Sequence, residues 1–523
     1  MSNATFVDYS MNQLFLPMDL EELIPPRHVV RVVNDAIDQV KDDVFLKHYP
    51  GGGRSSYHPK MMTKIIVFAY TQKIYSSRLI AKAVRENIPF MWLSARQTPD
   101  FRTINRFRSE RMKQTIDEVF SSILQLLIEE GYIKLENYFL DGTKIEANAN
   151  RYTYVWKKNV DRHQKNLQVK IHDLLCEIDE IEKQEMQTYQ DHDLEELGEH
   201  STLTAEKLEE TVAQLEQRLQ EEPENKPLQK RVKKIQDEYL PRYQRYEEQQ
   251  AIFQERNSYS KTDHDATFMR TKEDHLQNGQ LKPCYNLQVG TENQFIVGYS
   301  VHQRPGDTKC MISHLEGVRA KLGTLPKAII ADAGYGSEEN YAYLDRWNVK
   351  AYVKFNTFHR ENSKKWKRDI SKVENWSYDE EKDEFICAGD KRLTFRNETK
   401  EQTDSGYEIT KRNYQCHECE GCPLREQCTK STTGRQISVS PALMEYKKKA
   451  REILGSDHGR TLSVQRSIEV ESVFGHFKEN RSLRRFFLRG LPKVSIEVGL
   501  LSLAHNLLKK TAAQMKSTGD KVG

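Results

Sequence analysis

The chain has 523 residues, 30% of them charged and 37% hydrophobic, with a formal net charge of only +3. That length supports a sizeable core and about two to four domains. The longest apolar clusters, such as residues 65–70, are far too short to span a bilayer, and no basic segment followed by an apolar one opens the chain as a secretory signal does. A soluble, cytoplasmic protein is expected. The near-neutral total does not exclude a nucleic-acid partner, because positive charge is concentrated at 476–493.

Pro25 and Pro26 break the opening segment, and Val29, Val32, Val33 and Ile37 then recur at helical spacing. Gly51, Gly52 and Gly53 mark a loop. HPKMMTKIIVFAYTQKIYSS, SRLIAKAVRENI and a longer stretch opened by Thr98, Pro99 and Asp100 read as successive helices. Arg102, Arg106, Arg108, Arg111 and Lys113 follow at helical spacing. Short helices ahead of a basic one predict a helical DNA-binding domain over 1–130, with Arg102 and Arg106 among its contacts.

The pattern changes at Tyr138, Phe139 and Leu140, a short apolar strand that delivers Asp141 into Gly142 and Thr143. A strand end is a rigid place to hold a metal ligand, although an aspartate there also simply starts a turn. Residues 131–154 are read as the first part of an α/β catalytic domain. From 155 to 256, Leu167, Ile171, Leu174, Ile178 and Ile181 form a heptad seam. Leu208, Val212, Leu215 and Leu219 form another, and Leu228, Val232, Ile235 and Tyr239 a third, with breaks near Gly198 and at Pro223 and Pro227. This predicts a coiled-coil-like helical insertion. Strand character resumes over 257–355, the central part of the catalytic domain. There Asp263, His264 and Asp265 are either a further metal site or a polar turn, and 327–331 is a buried-type strand ending on Asp332 before a Gly-containing turn.

Residues 356–445 are polar, aromatic and strand-like, and contain Cys416, Cys419, Cys422 and Cys428 in the spacing C-x2-C-x2-C-x5-C. Clustered thiolates suit tetrahedral zinc in a β-rich insertion. An iron–sulfur cluster is the alternative, and His417 or Cys387 is a possible substitute ligand. The segment 446–510 is expected to hold the last helices of the catalytic domain, and 511–523 a tail. Within it, Glu471 and Lys478 share a helix face, and Lys478, Arg481, Arg484, Arg485, Arg489 and Lys493 supply six positive charges with Glu479 the only acid among them. A carboxylate beside so basic a run suits a site that handles a phosphate backbone.

Asp141, Asp332 and Glu471 are thus the ligand set for two divalent ions, Mg²⁺ or Mn²⁺, which about 4 Å apart serve in-line phosphodiester displacement. In their order, FLDGTKIEANANR, TDHDATFMRTK, YNLQVG, ADAGYGS and IEVESVFGHFKENRSLRRFFLRG resemble the bacterial insertion-sequence transposases of the DDE type. The nearest group is the one with an InsH-type N-terminal domain, the IS eleven-eighty-two group. The resemblance implies an RNase H-like catalytic domain with Asp141, Asp332 and Glu471 as its triad. Relatives carry a Tyr, Arg, Glu and Lys signature, which Glu471 and Lys478 meet in spacing. Ser467 stands at the expected arginine, Arg466 is displaced by one, and Glu469 is the alternative acid. The resemblance further implies cleavage at the element's terminal inverted repeats, 3′-OH strand transfer into target DNA, a homodimer or higher oligomer on DNA, and a nucleoid-associated location. A nuclease without strand transfer and a non-catalytic zinc-containing DNA-binding protein are the competing readings.

Overall fold

The computed structural model describes residues 19–47, 56–189, 203–221, 225–271 and 279–517. The glycine run at 51–53, the break at Gly198 and Pro223 lie outside them.

The centre is a six-stranded mixed sheet. Strand β1 (Asn137–Glu146) pairs antiparallel with a long strand defined below and parallel with another, so it carries both kinds of ladder. A two-stranded ribbon of β2 (Tyr154–Trp156) and β3 (Ser258–Ser260) follows. Next come β4 (Thr267–Arg270), β5 (Leu281–Glu292) and β6 (Phe295–His302), then β7 (Ala328–Ala331) and β8 (Lys350–Val353). β5 pairs antiparallel with β1 on one side and with β4 and β6 on the other, while β1, β7 and β8 run parallel. The four residues of β7, AIIA, are all buried, as strands covered on both faces must be. The Tyr138 ring on β1 lies where Cβ atoms at Gly290 and Gly298 would stand, and its hydroxyl hydrogen-bonds His314 Nε2 at 2.6 Å.

The N-terminal helices form as their sequence directs. Asp100 accepts from Thr103 N at 2.7 Å and caps helix Phe101–Arg106, and Pro59 occupies the first turn of helix Pro59–Thr71. A π-helical turn at Phe107–Arg111 joins the capped helix to Met112–Glu129. These helices share one continuous core with the sheet. The shared partner is the last helix, Leu491–Ser517, which packs on Pro59–Thr71, on Met112–Glu129 and on β6. It buries Val494, Val498, Leu501, Leu503 and Leu507 around its circumference, as an interior helix does. Its Asn506 exchanges two 2.8 Å hydrogen bonds with the backbone of Ile296. The helix runs on through Ser517, past the point where the tail is expected to begin, and Thr511 is buried.

Helices Lys157–Tyr189, Ala205–Glu221, Lys226–Lys234 and Leu240–Phe253 enclose a second core of Leu167, Ile171, Ile178, Leu208, Leu215 and Ile235. The heptad seams face one another there, apart from Ile181, whose side chain is not among those described. A third unit is a five-stranded antiparallel sheet of β9 (Ser377–Asp379), β10 (Glu384–Ile386), β11 (Arg392–Gln402), β12 (Glu408–Cys416) and β13 (Gln436–Val439), in the order β13-β12-β11-β10-β9. Helices Pro441–Gly455 and Asp457–Gly475 lead from it back to the central sheet.

Candidate active site

The parallel register of β1 and β7 ends with Leu140 opposite Ala331. Asp141 and Asp332 each follow by one residue, so the two carboxylates are delivered side by side from adjacent parallel strands. Asp141 Oδ1 accepts from its neighbour Gly142 N at 2.8 Å, and Oδ2 pairs with Arg466 Nη1 at 3.2 Å. Asp332 accepts from Gly334 N at 2.9 Å and caps the turn Ala333–Tyr335. Lys354 stands close to both Arg466 and Asp332. Burial and the Arg466 charge lower its pKa, against the pull of Asp332.

A third aspartate, absent from the sequence-based set, joins these two. Asp307 Oδ1 accepts from Asn286 Nδ2 at 2.7 Å and Gln288 Nε2 at 2.9 Å, both on β5. A Cβ placed on Gly142 would lie 2.6 Å from that same oxygen, and one placed on Gly334 would lie 3.8 Å from Asp307 Cβ. Asp307 therefore sits between the two segments that carry Asp141 and Asp332. Beneath them, the buried Tyr335 hydroxyl donates to Gln288 Oε1. Burial first, then the charges of Asp307, Asp141 and Asp332, raise the Tyr335 pKa well above that of a free phenol. Tyr335 is thus held as a neutral donor under three acids. The only sequence signal for Asp307 is a Pro-Gly-Asp turn ahead of a helix, which is what any helix start looks like.

Helix Asp457–Gly475 lies across β1, β5, β7 and β8 and brings Arg466 to Asp141. Glu471 is exposed, five residues along the same helix. Among the described residues, no group of three or more His, Cys, Asp or Glu side chains is arranged to hold a metal ion. In this arrangement the Arg466 guanidinium balances the Asp141 carboxylate. Glu469 has a different task. It is buried and accepts from Gln294 N at 2.5 Å, at the β5–β6 turn. That turn is five residues beyond Val289, the partner of Asp141, or roughly 16 Å along the strand. Burial raises the Glu469 pKa.

The basic run divides. Arg481 is buried, its Nη1 donates to Tyr70 O, and its own carbonyl accepts from Tyr75 OH at 3.0 Å. A guanidinium consumed in this way ties the 476–490 segment to the N-terminal helices, so the expectation that it contacts DNA is corrected. Arg108 is corrected for the same reason, being buried and bonded to Tyr75 O at 2.5 Å. Arg484, Arg485 and Arg489 are exposed, and their segment is pinned to the end of β1: Phe486 N donates to Glu146 O at 2.9 Å and Arg485 Nη2 to Ala149 O at 2.7 Å. Arg484 also pairs with Glu479 at 3.1 Å. Lys478 is half-buried. On the N-terminal helices Arg102 and Arg106 are exposed, and Arg106 pairs with Glu110 at 3.1 Å. The Asp263, His264 and Asp265 trio is a structural turn: Tyr285 OH donates to Asp263 and Leu491 N to Asp265 Oδ2 at 2.7 Å.

Glu497 secures this basic segment by accepting from Phe487 N at 3.0 Å and Leu488 N at 2.9 Å. Burial outweighs those donors and pushes its pKa from 4.5 up to about 7. The unfolded chain loses this proton first as pH rises, so stability contributed by the neutral acid falls through the window between 4.5 and about 7. Glu497→Gln keeps an acceptor without the titration. Denaturant midpoints measured across that window are expected to fall with pH in the wild type and to flatten in the variant.

Two family matches bear on this geometry. Residues 18–110 match a transposase domain (DUF772), and residues 386–511, which include Arg466 and Glu471, match a transposase DDE domain. No curated protein and no solved structure matches the chain. Among the described residues no helix is long and apolar enough to cross a membrane. A transposase match at each end of the chain, with paired aspartates on the sheet between them, supports an insertion-sequence DDE transposase.

Proposed function

We propose that the chain cleaves DNA at the terminal inverted repeats of its own element and transfers the exposed 3′-OH into target DNA, with Asp141, Asp332 and Glu471 as its acidic triad. The observation that carries this reading is the side-by-side delivery of Asp141 and Asp332 beneath the helix that bears Glu471. The order β6-β5-β1-β7-β8, two antiparallel pairings followed by two parallel ones, supports an RNase H-like catalytic domain. The combination of the two matched regions in one chain supports the IS eleven-eighty-two group.

Hard carboxylate oxygens are the donor set that Mg²⁺ or Mn²⁺ takes, and such ions supply activation of the attacking oxygen and stabilisation of the leaving one. Asp141 and Asp332 would hold them, with Glu471 as the third ligand, once Asp141 gives up its pairing with Arg466. The freed Arg466 and the neighbouring Lys354 then face the scissile phosphate. In the first step a water oxygen forms a bond to phosphorus and the 3′-oxygen leaves with a proton. In the second, that 3′-OH attacks a target phosphodiester, whose own 3′-oxygen departs. Arg484, Arg489, Lys478, Arg102 and Arg106 would neutralise flanking phosphates, and two ends are brought together by a multimer.

Asp307 orients the pair through its place between Gly142 and Gly334. Asp307→Asn keeps the size of the side chain and an Oδ1 that can still accept from Asn286 and Gln288, but it removes the charge beside Asp141 and Asp332. A fall of about a hundredfold in cleavage rate is expected, with end binding in a gel-shift assay unchanged. The reading as a whole is tested by titrating Mg²⁺ or Mn²⁺ into the full chain with DNA containing the gene's own flanks. Cleavage without joining would indicate a nuclease, and binding without cleavage a non-catalytic DNA-binding protein.

A further inference from the structure

Five of the chain's eight cysteines, Cys387, Cys416, Cys419, Cys422 and Cys428, line a single cavity of about 20 Å³ in the β9–β13 unit. That is the room of one water or one ion. They come from separate parts of the chain. Cys387 closes the turn between β10 and β11, where its N–H donates to Lys391 O at 2.9 Å. Cys416 ends β12 opposite Leu393, and the other three follow in the next loop and the short helix Arg425–Cys428. A Cβ on Gly389 would lie 3.3 Å from the Cys422 sulfur and 3.9 Å from that of Cys387. Cys419 Sγ accepts a hydrogen bond from Arg435 N at 3.3 Å. All five are free of disulfides.

Two independent features point to an ion. First, Lys391, Arg425 and Arg435 line the same cavity. Lys391 already pairs with Glu418 at 3.1 Å, while Arg425 and Arg435 bond backbone carbonyls; four thiolates around a divalent ion would give these guanidiniums a net charge of about −2 to face. Second, the unit's buried core is only Phe385, Leu393, Tyr414, Cys416 and Ile437. So small a core needs a staple.

We propose that this cavity binds one zinc ion through four thiolates, and that Cys387 is one of the four, so that the ion ties the β10–β11 turn to the Cys416–Cys428 loop. One of the loop's four thiols is then left outside the coordination sphere. As placed, no three of the sulfurs form a metal-holding group, so the side chains draw together as the ion enters. Each ligating thiol releases its proton to solvent as its bond to zinc forms.

The test uses the full chain and does not depend on transposition. Metal content is measured after purification without chelator, and the zinc is exchanged for Co²⁺ to read thiolate-to-cobalt charge transfer. About one zinc per chain and a four-thiolate cobalt spectrum are expected. Cys387→Ser should lower zinc retention against a competing chelator at least about tenfold, while Cys176→Ser, in the helical insertion, leaves it unchanged. Wild-type protein that takes up neither zinc nor cobalt would overturn the proposal, as would iron in place of zinc. Full retention by Cys387→Ser would overturn it too; should that variant fail to fold, Cys387→His is expected to give the cobalt spectrum of three thiolates, and an unchanged four-thiolate spectrum would overturn the proposal.

Discussion

Asp332→Asn is expected to lower DNA cleavage by on the order of a thousandfold while leaving end binding intact. The substitution keeps the shape and the acceptor that Gly334 N uses, at 2.9 Å, but removes the charge. Loss of one group that stabilises developing charge typically costs that much. Asp141→Asn should match it and also release Arg466, whose 3.2 Å pairing with Asp141 then has no anion. The double variant should be little worse than either single one, because residues acting as one unit do not contribute additively. Single-turnover cleavage of end-labelled DNA reads all three. Independent, multiplicative losses would mean the two aspartates do not share a site.

The second large effect concerns folding. Gly290→Ala is expected to destabilise the protein by about 3 kcal/mol, at the upper end of overpacking penalties. The Tyr138 ring occupies the space a Cβ would need, and its hydroxyl is fixed by His314 at 2.6 Å. The ring has nowhere to retreat, because Gly298 closes on the same hydroxyl. Since Gly290 pairs with Leu140, next to Asp141, the strain falls on the strand that carries the site. Tyr138→Ala in the same chain should recover part of the loss, which thermal unfolding of the single and double variants would measure.

What the sequence discloses follows from what is local. Asp141 and Asp332 are legible because each follows an apolar run, although only Asp332 opens a turn while β1 continues past Asp141 to Glu146, and the heptad seams of 155–256 are legible because their spacing is itself the packing rule. Asp307 is not, because only the β1–β5–β7 register brings a loop residue between the middle of β1 and the end of β7. Arg481 and Arg108 mislead because a positive charge in a basic run carries no mark of its burial. The tyrosine carbonyls that engage them lie up to 411 residues away. Glu469 and Glu471 differ by two residues, and only the fold separates a cap on the β5–β6 turn from an exposed acid on the same helix. The joining of the N-terminal helices to the sheet is likewise invisible, because it runs through the final helix.

The most direct measurement is strand transfer by the full chain. A duplex carrying the DNA that flanks the gene is incubated with a labelled target plasmid and Mg²⁺, and covalent joints are sequenced. The 3′ ends of the element are expected joined to target DNA, dependent on the divalent ion, with the joints lost in Asp332→Asn. Joints formed equally by wild type and Asp332→Asn, or cleavage with no joints when both ends are supplied, would contradict the proposed function.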